Sequence, residues 1–236
     1  MRSFTRETFI QILKDHGQQP SDVQMAQFDR YVKELAEWNQ KMNLTAITIE
    51  EEIWEKHFYD SIVPFENLSH KTLCDVGSGA GFPGIPLKIV FPDMELTIVE
   101  PLQKRCRFLE TVKEALDLKG VNIYPERAED FVKEHRESYD VVSARAVARL
   151  SILLELCAPL VKMKGHFIAL KGKQGHEELL EAQKALDILG MKLEKEDTID
   201  VDEATRINLY MQKVKPTPNK YPRAYGQIKK KPLGGV

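Results

Sequence analysis

The sequence predicts an α/β protein in which a helical extension precedes a mostly parallel, seven-stranded sheet. Three observations carry that reading. From residue 71 onward, short apolar runs alternate with amphipathic segments, the pattern of strand–helix crossovers. Before residue 71 the apolar residues recur only at helical spacing. At the join lies Thr72-Leu-Cys-Asp-Val-Gly-Ser-Gly-Ala-Gly-Phe-Pro-Gly84, an apolar strand that runs through an acid into four closely spaced glycines.

The elements follow in order. A first helix is predicted from about residue 3 to Gly17, where the glycine ends it. Ser21 with Gln24 makes a capping box that opens a second helix, and Phe28, Tyr31, Val32, Leu35, Trp38 and Met42 mark its buried face. Thr48 with Glu51 has the same signature and predicts a third helix carrying Ile53, Trp54, His57, Phe58, Ser61 and Ile62. The aromatic residues here read as core. The first strand carries Asp75. The second, residues 96–99, ends in Glu100, and the helix after it presents Leu102, Cys106, Leu109, Val112 and Leu116 on one face, with Lys104, Arg105, Arg107 and Lys113 on the other. A third strand at 121–124 leads to Arg127-Ala128-Glu129, a fourth at 139–144 to Arg145, and, after a helix over 150–161, a fifth at 165–170 to Lys171. Two more strands are expected near 191–199 and 206–214. The predicted organisation is a helical segment 1–70, a ligand-binding domain 71–214 and a basic segment 215–236.

Ligands of open parallel sheets bind at the carboxyl ends of the strands. Those ends collect Gly77 to Phe82, Glu100, Ala128-Glu129, Arg145 and Lys171. Glycines let the backbone approach a ligand closely, and an acid ending the second strand suits the two hydroxyls of a ribose. A nucleoside-containing cofactor is therefore expected, and two fit. Gly79-Ala-Gly-Phe-Pro-Gly84 formally matches the G-x-G-x-x-G dinucleotide fingerprint, with Glu100 at about the right distance. The loop, however, begins with Asp75 and Gly77, and a carboxylate there would repel a pyrophosphate. S-adenosylmethionine (SAM) has no phosphate and carries an ammonium and a sulfonium, which a carboxylate favours. The acid-first order resembles the first motif of class I SAM-dependent methyltransferases, whose fold is Rossmann-like.

The rest of the composition narrows the class. Cys74, Cys106 and Cys157 lie far apart in apolar stretches, so buried free thiols are expected and no metal site. There is no apolar leader or long uncharged run, which predicts a cytoplasmic protein with no membrane segment. The net charge of −2 does not announce a nucleic-acid binder, so any such contact must come from local patches. Residues 212–236 hold seven Lys or Arg, no acid and four prolines. They are expected to be extended or mobile, and suit either a solubilising tail or contact with phosphate backbones.

Larger motifs then carry a resemblance. Trp38-Asn39…Met42-Asn-Leu-Thr45, His57-x-x-Asp-Ser61, Asp75-Val-Gly-x-Gly-Ala-Gly-Phe-Pro-Gly84, Ser143-Ala-Arg-Ala146 and Leu170-Lys-Gly172 are together similar to the RsmG (GidB) family, over residues from about 20 to 223. That family methylates N7 of a guanine in a loop of bacterial 16S ribosomal RNA. The resemblance implies SAM contacts at Gly77, Phe82, Ala128, Glu129 and Arg145, and RNA contacts at Lys171 and Arg206. It also implies 16S RNA or the small ribosomal subunit as partner. Nothing in the sequence demands more than a monomer. Guanine N7 has an in-plane lone pair and no proton, so no general base is required. No catalytic residue is assigned, and His57, His135 and His166 read as structural. Arg145 beside a developing cation would be unfavourable, which predicts that it grips RNA phosphate or guanine O6.

Overall fold

The computed structural model describes residues 4–145, 147–202 and 204–234; Ala146 of the Ser143–Ala146 motif and the chain's last two residues lie outside them. Seven strands form one sheet: β1 (Thr72–Val76), β2 (Glu95–Val99), β3 (Val121–Tyr124), β4 (Tyr139–Arg145), β5 (Val161–Gly172), β6 (Met191–Val201) and β7 (Ala204–Lys213). Their order is β3-β2-β1-β4-β5-β7-β6, with β7 antiparallel to both its neighbours and the other pairings parallel. The order reverses between β1 and β4, the switch point at which such sheets open a crevice.

The central strands bury both faces, and their side chains alternate between two cores. Leu73, Leu96, Val141, Ile168 and Leu170 point into one. Cys74, Val142, Phe167, Ala169 and Leu209 point into the other. The first core also takes the N-terminal helices α1 (Arg6–Asp15) and α2 (Asp22–Met42), through Phe9, Phe28, Tyr31 and Leu35. The helical extension thus shares its core with one face of the sheet. It is joined there by α5 (Gly84–Val90) and α6 (Gln103–Ala115). The Ser21–Gln24 capping box is formed, and the Gln24 amide then reaches the carbonyls of Ile89 and Val90 at the end of α5. All three cysteines are buried free thiols.

The third helical segment differs from expectation. It begins at Glu50 without a side-chain cap, so the Thr48–Glu51 box does not form. Three successive glutamates in its first turn offset the helix dipole instead. The segment runs as α3 (Glu50–Glu52), a π-helix (Ile53–Tyr59) and α4 (Asp60–Ile62). π-Helical turns are uncommon and gather at functional sites. Leu102 also departs from its predicted face: it precedes α6 in extended backbone and is exposed.

On the second core pack α7 (Ala128–His135), α8 (Leu150–Cys157) with the 3₁₀ turn Ala158–Leu160, α9 (Gly175–Glu181) and α10 (Gln183–Leu189). The basic C-terminal segment joins them, contrary to the expectation of an extended or mobile tail. Tyr221 and Ile228 are buried in that core, and residues Tyr225–Lys230 form α11. Arg223 pairs with the fully buried Glu155 carboxylate of α8 through two N–H donors at 2.9 and 2.7 Å. A buried carboxylate needs such a partner, so the tail completes α8.

Candidate cofactor site

The glycine loop is braced from beneath by Asp75. Its carboxylate, with no solvent exposure, accepts from the Ser78 hydroxyl, from Gly84 N at 3.0 Å and from Ser143 Oγ at 2.9 Å. It thereby ties the two ends of the loop to each other and to β4. Burial pushes its pKa up, and the three donors oppose that shift. The sequence reading gave this acid to the cofactor's positive charges; the structure turns its oxygens inward, to the loop.

Above the brace the backbone is left-handed at Gly77 (φ 71°) and Gly79 (φ 62°). A side chain at Gly77 would strike Val147, whereas a Cβ at Gly79 would meet nothing within 4 Å. Open space over Gly79 is where a ligand could lie against the backbone. Glu100, 1 % exposed at the tip of β2, accepts from Gly79 N and from Leu102 N, both at 3.0 Å. Each oxygen keeps a lone pair for a hydroxyl donor. Ala128 is buried as the first residue of α7, beside Glu129, at the tip of β3. Gly77, Gly79, Glu100, Ala128 and Glu129 thus gather at the carboxyl ends of β1, β2 and β3, beside the switch point. An acid and an open backbone face fit an adenosine-bearing ligand.

Phe82 and Arg145 belong to a different layer. The Phe82 ring is 4 % exposed and stacks on His57 at 4.3 Å and Tyr31 at 5.5 Å, while the Arg145 guanidinium lies over it at 4.8 Å. Phe82 can meet a cofactor only through its backbone. Arg145 also donates to Asp60 Oδ2 (3.3 Å), to Lys56 O (3.4 Å) and to His57 Nδ1 (3.2 Å). That donation makes His57 Nδ1 an acceptor, so Nε2 carries the proton and donates to Thr45 Oγ1 at 2.9 Å. Burial and the neighbouring Arg145 pull the His57 pKa down to about 3, so the ring stays neutral.

Both residues assigned to RNA are held within the protein. Lys171, expected to face RNA, is 8 % exposed, paired with Glu178 of α9 at 2.7 Å and donating to Ala148 O. Arg206 reaches Asp60 Oδ2 at 3.4 Å and is partly exposed. Asp60 therefore joins Arg145 of β4 to Arg206 of β7. The same pairing ties Arg145, expected at RNA phosphate or guanine O6, to Asp60 within the protein. Sequence reasoning missed the parts played by Thr45, Asp60 and Tyr31, whose hydroxyl donates to Ala80 O of the loop. The Asn39–Thr45 and His57–Ser61 motifs were the signal for Thr45 and Asp60.

A cleft of about 1160 Å³, lined in part by Leu13, Phe65, Met163 and Tyr210, lies between the N-terminal extension and the β5–β7–β6 part of the sheet; none of the loop residues borders it. Among the described residues there is no cluster of three or more metal-ligating side chains, and no helix is long and apolar enough to cross a membrane.

A seven-stranded sheet of this order, with an acid-braced glycine loop at its switch point and an acid ending β2, defines a class I SAM-dependent methyltransferase. Solved structures share the fold. A SAM-dependent methyltransferase from Aquifex aeolicus superposes with a TM-score of 0.55 at 16 % identity, covering 73 % of this chain and 97 % of that one. TYW2 of M. jannaschii in complex with AdoMet gives 0.56 at 15 % identity, over 66 % and 75 %. The chain belongs to the GidB family, rRNA small subunit methyltransferase G, whose family model matches residues 24–204. It is 48 % identical to the ribosomal RNA small subunit methyltransferase G of Staphylococcus carnosus over 235 residues, covering 96 % of this chain and 98 % of that one. For the protein of the same name in Bacillus velezensis the identity is 49 % over 238 residues, 97 % and 99 % covered. The dinucleotide alternative is thereby set aside.

Proposed function

We propose that this chain transfers the methyl group of SAM to N7 of one guanine in 16S ribosomal RNA. It would act as a cytoplasmic monomer, without a metal, on the RNA or the small subunit. The observation that carries the proposal is the acid-braced glycine loop, set in a chain that matches small-subunit methyltransferases over almost its whole length. SAM, when bound, supplies an electrophilic methyl group.

The chain's residues divide the work of holding it. Gly77, Gly79 and Phe82 offer backbone, Glu100 takes the ribose hydroxyls, and Ala128-Glu129 flank the adenine. Asp75, Arg145, His57 and Asp60 support the loop that does this. Guanine N7 presents no proton to remove, and the three histidines weighed as candidates have structural partners: His57 bonds Thr45 and Arg145, His135 stacks on Phe131 at 4.0 Å, and His166 pairs with Glu194. Positioning then carries the rate, an effect that reaches about 7–11 kcal/mol in favourable intramolecular cases. The A-form major groove is too deep and narrow for side chains to read, so the target guanine must be unpaired or splayed out to reach the site.

The test is incubation with radiolabelled SAM and either unmodified small subunits or naked 16S RNA. Label in RNA supports the proposal. SAM binding with no label in either RNA would contradict it.

A further inference from the structure

The C-terminal segment folds into a fixed shape that the cofactor site does not use. Arg136 donates to the carbonyls of Thr217 and Tyr221, Arg223 clasps Glu155, and Ile228 is fully buried. These anchors hold α11 against α8. Its first residue, Tyr225, lies against Arg127, whose Cζ is 5.9 Å from the ring centroid. Arg127 is the N-cap of α7 and immediately precedes Ala128, so the segment abuts the β3 side of the cofactor site. Beyond the anchors, Lys229, Lys230 and Lys231 are exposed, and none pairs with a carboxylate among the described residues. A shallow groove of about 460 Å³ runs here, lined by Arg223, Gln227, Lys230 and Lys231, with no acid on its walls.

We propose that this anchored basic ridge, α11 with Lys229–Lys231 and its groove, docks the phosphate backbone of the RNA substrate and leads it to the cofactor site. The inference rests on the rRNA methyltransferase reading above. Three features favour a phosphate backbone. The ridge presents cationic donors without counter-charge. It is continuous with the site edge through Arg127 and Tyr225. Its rigid seating on Glu155 means that little ordering entropy opposes binding. Such contacts position a nucleic acid without reading its sequence. Each phosphate neutralised releases counterions and adds roughly 0.7–0.9 to the slope of log affinity against log salt.

The experiment uses the full chain with Lys229→Gln, Lys230→Gln and Lys231→Gln combined, titrated with unmodified 16S RNA over a range of salt. A control variant loses three exposed lysines elsewhere, Lys14, Lys33 and Lys184. The ridge variant should keep its SAM affinity, its Tm and its kcat at saturating RNA. Its KM for RNA should rise about tenfold and its salt slope fall by about two to three, while the control stays near wild type. An unchanged KM and slope, or an equal loss in the control, would overturn the proposal. So would loss of binding to small subunits with binding to naked 16S RNA intact, which would assign the ridge to a ribosomal protein. A wild-type protein that binds RNA through these lysines yet transfers no methyl would refute the reading of the reaction and leave the ridge standing.

Discussion

Arg145 lies with its guanidinium 4.8 Å from the centre of the Phe82 ring, so the tip of β4 packs on a side chain of the glycine loop. The contact joins a strand end, the N-terminal extension and the cofactor loop in one unit.

Arg145→Lys should therefore act on the cofactor. Lysine keeps the charge but loses the planar stack and the fork that reaches Asp60 and His57 together, a loss of about 1–2 kcal/mol when such a contact is desolvated. Calorimetric titration should show SAM bound roughly tenfold more weakly, with KM for RNA little altered. A raised KM for RNA with SAM affinity intact would return Arg145 to an RNA role.

Asp75→Asn tests the brace. An amide can keep its oxygen for Ser78 and Gly84, but its nitrogen replaces the oxygen that accepts from Ser143, so that hydroxyl must turn to accept, and a second N–H enters a dry site that already supplies three donors. An unsatisfied buried group costs about 1–3 kcal/mol, so Tm should fall and SAM affinity with it. A variant of unchanged Tm that still loses SAM would mean that Asp75 serves the ligand and not the loop.

His57 makes stability depend on pH. Its pKa falls from an ordinary 6.5 to about 3 on folding. Between those values the unfolded chain binds more protons, so stability is fully present above pH 6.5 and is lost as pH falls towards 3. Asp60 and Asp75, whose pKa values burial raises, oppose this at the acid end. The readout is accordingly a difference: from pH 7 to pH 5 wild type should lose more Tm than His57→Gln does. Equal losses would mean that His57 does not titrate out of a neutral buried state.

Lys171→Met should cost stability. It leaves Glu178 partly buried with its charge partner gone, for which about 3–5 kcal/mol is usual; Glu178 keeps only the Leu150 amide. Denaturant midpoints should fall, and the folded fraction should keep the wild-type KM for RNA. Full stability with weakened RNA binding would reinstate Lys171 as an RNA contact.

How far the sequence could be read follows from the range of each signal. Alternating apolar residues, the Ser21–Gln24 box and the glycines are local, and β1, β3 and the helix start at Asp22 fall where they were expected. The tips of β2 and β4 were legible for the same reason, because Glu100 directly follows β2 and Arg145 ends β4. Partners across the fold leave no such mark. Lys171 and Arg206 look like free cations until Glu178 and Asp60 are brought to them from 7 and 146 residues away. The tail looked incapable of packing because its seven cations and prolines outweigh Tyr221 and Ile228, yet Glu155, buried on α8, needed a cation. The π-helical turn that aims His57 at Phe82 has no composition of its own.

The central claim, methyl transfer to a single guanine N7, is tested most directly by borohydride–aniline cleavage of 16S RNA from unmodified small subunits incubated with the protein and SAM. Strand scission is expected at one guanine, dependent on SAM and reduced when Asp75→Asn replaces wild type at limiting SAM. Methyl incorporated into RNA that gives no scission would place the group on another atom and contradict the claim.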